Sequence, residues 1–116
     1  RIFTKHIIKT IAGSGLEKAK EEYNTRRNSL ELLEFMMRGE GFDHIDNEQP
    51  EIALQIFEMN VFAYPKSARA LQGLGEGYME TGKKEAALVY LKRSLSINPD
   101  NQFVNELISD LEEKNN

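Results

Sequence analysis

Residues 74–88 read LGEGYMETGKKEAAL. Two helical segments meet across Gly82-Lys83, and the residues at their crossing are small: Gly75 in the first, Ala86 and Ala87 in the second. A glycine inside a helix costs up to about 1 kcal/mol against alanine, so its presence asks for a compensating contact. Gly75 is no loop glycine, because it lies in an apolar stripe that runs from Leu71 to Tyr78. Small side chains here let the two backbones approach until Leu74, Tyr78 and Leu91 interlock, and a leucine at position 75 or 87 would overpack the crossing.

Helical periodicity extends in both directions. In EAALVYLKRSLSI, residues 85–97, Ala87, Leu88, Leu91 and Leu95 form one stripe that Asn98-Pro99 ends. The last segment, DNQFVNELISDLEEKNN, opens on an Asp/Asn cap signal, and sets Phe103, Val104, Leu107, Ile108 and Leu111 against a polar face of Asn105, Glu106, Asp110 and Glu113. Breakers divide the remainder in the same rhythm, which predicts helices over 2–12, 16–27, 29–46, 50–63, 67–81, 84–97 and 101–114. No strand is expected, so the fold class is all-α.

A period of 34 residues underlies the helices. Pro65 and Pro99, Gly41 and Gly75, the series Ala19, Ala53, Ala87 and the series Tyr23, Phe57, Leu91 all keep that interval. Residues 68–101 thereby resemble a tetratricopeptide repeat, with Leu71 at the large apolar position, Leu74-Gly75, Tyr78, Ala87, Leu91 at the aromatic position and Pro99. Residues 34–67 keep Met37, Gly41, Ala53, Phe57 and Pro65, with Glu40 and His44 where the pattern has Leu and Tyr. The first 33 residues keep Phe3, Ala19 and Tyr23, and depart at Ile7, Thr10 and Glu31. The resemblance implies a right-handed α-solenoid of antiparallel helix hairpins. It would form one domain over 1–116, with repeats at about 1–33, 34–67 and 68–101 and a capping helix at 101–114.

Composition agrees with a folded chain: 40% of residues are apolar and 29% charged, too apolar for a disordered tail. There is no cysteine, hence neither a disulfide nor a thiolate metal site, and the compartment stays open. Apolar runs such as IALQIF fall far short of the roughly 20 residues that span a bilayer, so no membrane partner is expected. The chain starts RIFTKHII, without Met, and is expected to be a piece of a longer protein. Net charge is −4, but residues 1–30 hold seven Lys or Arg against three Glu, leaving eight basic and sixteen acidic residues beyond. The positives are spread over two helices among Glu17, Glu21 and Glu22 without stacking aromatics, so they read as a solvated face and not as a nucleic-acid arm.

Nothing in the sequence assembles a catalytic site. His6 and His44 lie outside any metal-ligating spacing, and His44, at the repeat's Tyr position, is expected to pack. AGSG at 12–15 lacks the outer glycines of a nucleophile elbow and reads as a turn. Glu and Lys alternate as in solvated helix ladders. The expectation is no enzyme, no metal and no cofactor.

The family resemblance implies instead a concave groove lined by the first helix of each hairpin. Carried over, the lining is Phe35, Arg38, Phe42, Ile45 and Asp46 from the second copy, Arg69, Gln72, Glu76, Met79 and Glu80 from the third, and Thr4, Ile8 and Ile11 from the first. The basic clamp with which some relatives hold a terminal carboxylate falls on Thr4, Ile8, Gly39, Arg69 and Gly73, where only Arg69 would serve, so no such clamp is expected. Phe35, Phe42 and Ile45 are either an apolar patch in that groove or core residues buried by rotation of their helix. The implied function is a protein–protein interaction module that binds an extended peptide or a neighbouring domain. The alternative is a non-catalytic accessory domain packing in cis on a catalytic domain, since 53–87 and NPDN are similar to repeat tails of some bacterial serine hydrolases.

Overall fold

Glycine, proline and capping side chains mark where most of the helices start or stop. The computed structural model describes residues 1–113, which form seven helices: α1 (Ile2–Ser14), α2 (Leu16–Arg26), α3 (Glu34–Asp46), α4 (Pro50–Ala63), α5 (Ala68–Glu80), α6 (Lys84–Ile97) and α7 (Gln102–Glu113). Gly15 alone, at φ 94°, separates α1 from α2, and Gly82, at φ 78°, separates α5 from α6; both take a conformation that side chains disfavour. Pro50 opens α4, where its missing N–H costs nothing. Ser67 accepts a hydrogen bond from Ala70 N at 3.1 Å, and Asn101 accepts one from Val104 N at 3.2 Å, capping α5 and α7 one repeat apart. Lys114, the last residue of the expected closing helix, lies outside the described residues.

The helices pair as α1/α2, α3/α4 and α5/α6, and α7 packs on α6. Among the described residues no strand occurs, and the stack measures 45 × 28 × 19 Å. It is an all-α solenoid of helix hairpins. Three apolar clusters fill it, one per junction. The first holds Phe3, Ile7, Ile11, Ala19, Met37, Ile56 and Met59; the second Ala53, Leu54, Phe57 and Leu74; the third Ala87, Leu91, Val104, Ile108 and Leu111. Ala19, Ala53 and Ala87 are all fully buried, as the 34-residue period requires.

Phe57 shows what the small residues are for. Its ring is fully buried, and a Cβ added to Gly41 would lie 2.4 Å from it, to Gly77 2.7 Å and to Gly73 3.2 Å. Glycines of α3 and α5 therefore form a slot into which α4 inserts an aromatic ring, with Phe42 edge-on at 5.0 Å. The third hairpin repeats the intra-hairpin half of this contact, since a Cβ on Gly75 would lie 2.7 Å from Leu91 Cγ. Buried Asn60 and Ser94, also 34 apart, donate to the carbonyls of Glu34 and Ala68, at 3.2 and 2.7 Å, tying each second helix to the start of the first.

The expected helix over 29–46 is shortened to Glu34–Asp46. Leu32 drops into the first cluster at 1% exposure, and the chain around it is extended. Leu33 N–H donates to Thr4 Oγ1 at 2.8 Å and the Tyr64 hydroxyl donates to the Leu32 carbonyl, so partners from α1 and the α4–α5 turn replace helical ones. Phe103, expected in the buried stripe of the last helix, is instead 53% exposed, because α7 meets α6 through Val104, Ile108 and Leu111.

The slot predicts opposite outcomes for two neighbouring glycines. Gly41→Ala should destabilise by about 1–3 kcal/mol through overpacking against Phe57. Gly39→Ala, where nothing lies within 4 Å, should stabilise by about 0.5–1 kcal/mol through helix propensity. Urea unfolding of both variants checks the pair, and a Phe57→Leu background should shrink the Gly41→Ala penalty.

Candidate functional site

The first helices of the three hairpins, α1, α3 and α5, form the row on which the sequence places the groove. Residues one repeat apart occupy equivalent positions along it, and their environments differ sharply. At the position of Thr4, Arg38 and Gln72, the threonine is fully buried as the acceptor for Leu33 N–H, so it is a structural residue and not a groove one. Ile11 is likewise buried in the first cluster. Ile8 is nearly buried, and its edge lines a shallow pocket with Lys5, Lys9, Met36 and Glu40 between α1 and α3.

On α3 the apolar trio divides. Phe35 is 68% exposed. Phe42 and Ile45 are half-buried and pack on the cluster around Phe57, so they belong to the second junction, not against the first hairpin. Their rotation toward Phe57 follows from Gly41, whose missing side chain lets that ring lie directly on α3. Asp46 is exposed at the end of the helix. His44 is half-buried and its Nδ1 donates to the Glu40 carbonyl at 2.8 Å, a contact within its own helix.

Between α3 and α5 runs a polar line. Asn101 Nδ2 donates to Gln72 Oε1 at 3.2 Å, and Gln72 Nε2 donates to Glu76 Oε2 at 3.0 Å. Asn101 thus performs two tasks, capping α7 through its oxygen and holding Gln72 through its nitrogen. Burial pushes the Glu76 carboxyl above its ordinary range, while the Gln72 hydrogen bond and the charge of Arg38 pull the other way. The stem of Arg38 crosses Gly73, with Cγ 3.4 Å from where a Cβ would stand, and its Nε is enclosed without a hydrogen-bond partner. Met79 is half-buried against the third cluster, and Arg69 and Glu80 are exposed.

The line is therefore polar in the middle, with an exposed aromatic on α3 and a thioether on α5. Such a surface offers donors, an acid of raised proton affinity and apolar contact, which suits recognition of a polypeptide. The sequence pattern gives Asn101 only as part of a helix-cap signal and Glu40 only as a departure from the repeat, and it does not mark Met36, Lys5 or Lys9. The second contact of Asn101, to Gln72, is the part the cap signal does not carry. The pocket residues follow from how α1 seats on its neighbours, which the repeat pattern does not specify. Among the described residues no group of three or more His, Asp or Glu is placed to hold a metal ion, and no helix is long and apolar enough to cross a membrane.

Residues 68–101 match the family model of the tetratricopeptide repeat. No curated protein matches the chain. The matched segment covers α5, α6 and the turn into α7, and contains Arg69, Gln72, Glu76 and Met79.

The raised proton affinity of Glu76 fixes the sign of a pH effect. A carboxyl whose folded pKa lies above its unfolded value favours the folded state when protonated, and that contribution is lost as pH rises through the folded pKa. Glu76→Gln keeps an acceptor for Gln72 and should raise the melting temperature at pH 7, with the difference shrinking as pH falls into the ordinary carboxylate range. Thermal melts of both proteins across pH 3.5–7 test this.

Proposed function

We propose that this chain, a tetratricopeptide-like repeat protein, captures an extended segment of a protein partner along α1, α3 and α5, as a single domain of three repeats, 1–33, 34–67 and 68–101, closed by the helix of 101–114. Repeats of this kind are interaction scaffolds in general, and they are generally non-catalytic; the groove and its ligand are the finer reading. The observation that carries it is Phe35. A phenylalanine left 68% exposed forfeits burial worth roughly 1.5–3 kcal/mol, and it stands on the helix whose Arg38 holds an enclosed, unpartnered Nε–H.

Phe35 supplies the anchor, and the aromatic ring gives large contact area at small entropic cost. Arg38, Gln72 and Glu76 read polar atoms of the bound segment: Arg38 donates to its carbonyl or carboxylate oxygens, and Glu76 accepts from its N–H groups. Arg69 and Met79 extend the contact along α5, while Phe42 and Ile45 support the floor from below. An extended segment fits because its unpaired backbone groups need partners that a line of alternating donors and acceptors provides. A segment from a neighbouring domain of the same polypeptide presents the same chemistry.

A random-peptide display library panned on the intact chain, followed by calorimetry with the enriched peptide, tests the reading. Phe35→Ser should leave the melting temperature unchanged and weaken binding at least tenfold, about 1.4 kcal/mol or more. Phe42→Glu should lower stability by about 2 kcal/mol or more, because it would bury a charge against Phe57. Peptide affinity unaltered by Phe35→Ser would refute the groove assignment.

A further inference from the structure

The two ends of the stack carry matching stripes of opposite charge. On α1, Ile2, Lys5 and Lys9 follow at i, i+3 and i+7, and all three are exposed, Ile2 to 86%. On α7, Phe103, Glu106 and Asp110 follow at the same spacing, and all three are exposed as well. Each stripe runs from an apolar residue to two like charges along one helix face. α1 contains no acidic residue, and α7, over its described length, no basic one.

Glu40 of α3 lines one pocket with Lys5 and Lys9, but among the described residues no salt bridge neutralises either stripe. In the first hairpin every acid already has a partner: Glu17 with Lys20 at 3.5 Å, Glu21 with Lys18 at 3.8 Å, and Glu22 with His6, whose hydrogen bond holds that carboxyl below its ordinary range. Lys5 and Lys9 enter no ion pair among the described residues. At the other end Glu112 pairs with Lys92 at 3.1 Å, while Glu106 and Asp110 enter none among the described residues. Both helices also carry charge against their own dipoles, with cations and no acid toward the start of α1, and acids and no cation in the last described turn of α7. That arrangement costs helix stability, and a partner of opposite charge removes the cost.

We infer that the acidic stripe of α7 docks on the α1 stripe of a second copy of this chain, pairing Glu106 with Lys5 and Asp110 with Lys9 and setting Phe103 against Ile2. The two stripes register only with the helices parallel, the relation that first helices hold within a hairpin stack. They cannot meet within one molecule, because α1 and α7 cap opposite ends of a 45 Å stack. A pocket of 440 Å³ lined by Ile2, Phe3, His6, Arg26 and Leu30 lies beside the α1 stripe and gives the Phe103 ring room to bury. The contact is heterologous, so each added copy leaves one free α1 and one free α7, and assembly continues instead of stopping at a dimer.

Sedimentation equilibrium of the intact chain decides the matter. At an ionic strength of about 0.01 M, where the screening length is about 30 Å, the weight-average mass should climb with protein concentration. At about 1 M, where it is about 3 Å, the mass should return to that of one chain. Lys5→Glu/Lys9→Glu and Glu106→Lys/Asp110→Lys should each stay monomeric at low salt, with unchanged melting temperatures because all four positions are exposed. Their equimolar mixture should associate again, since each supplies the charge the other lost. Phe103→Ala should weaken wild-type association roughly tenfold without altering its salt dependence. A wild-type mass that stays at one chain throughout, or charge-reversed variants that associate as well alone as the wild type, would overturn the proposal.

Discussion

One ring in one slot sets the geometry of this stack. Phe57 leaves α4 and enters a space that Gly41, Gly73 and Gly77 keep open, so the separation of α3 and α5 is fixed by the thickness of an aromatic ring between two bare backbones. Size is traded between equivalent positions in the next junction. One repeat later Leu91 replaces Phe57, and Leu107 and Leu111 of α7 replace Gly73 and Gly77. A smaller inserted side chain meets larger walls, and the interior stays filled in both cases. One repeat earlier the exchange fails: Tyr23 faces the first cluster and nothing approaches Gly39. The first hairpin accordingly seats mainly on α4 and not against α3 in the manner of the later repeats.

That slot also decides which side chains remain for a partner. A large ring swallowed between α3 and α5 draws Phe42 and Ile45 into its surroundings, leaving Phe35, seven residues before Phe42 on the same helix, outside the packed region. It also brings Arg38 over Gly73 and close enough to Glu76 for their charges to interact. Core and exposed face are therefore two sides of one packing solution. The polar line from Asn101 through Gln72 to Glu76 extends it, fixing the α6–α7 turn to α5.

The 34-residue period and the small residues spaced by it made the hairpins legible from sequence, because close packing of helices leaves a strict size signature at Ala19, Ala53, Ala87, Gly41 and Gly75. Of the candidate site, the positions on α3 and α5 could be read off the same register. Whether each side chain faced core or solvent could not, because that depends on how α3 and α5 turn to pack against Phe57. Residues 29–33 misled for a different reason. Leu30 and Leu33 have helical spacing, but burial of Leu32 and the hydrogen bonds of Leu33 to Thr4 and of Tyr64 to Leu32 outweigh local propensity. Thr4 looked like a groove residue by register because the repeat pattern contains no information about the strap of residues 27–33 that it holds through Leu33.

The strap explains how a divergent first hairpin can belong to the stack at all. In a solenoid, stability is the sum of each repeat and its contact with the next, and a first interface without the ring-in-slot contact must gain cohesion elsewhere. Here it comes from long-range bonds between side chain and main chain: Leu33 N–H to Thr4 and the Tyr64 hydroxyl to Leu32. These join α1, the 27–33 connection and the end of α4 around the buried Leu32. Bonds of this kind are directional where apolar packing is not, so they define the seating of α1 without requiring complementary ridges. The freedom this gives α1 accounts for its unusual composition: its inner face holds isoleucines, a phenylalanine and the buried Thr4 and Thr10, and its outer face can hold basic residues with no acid among them.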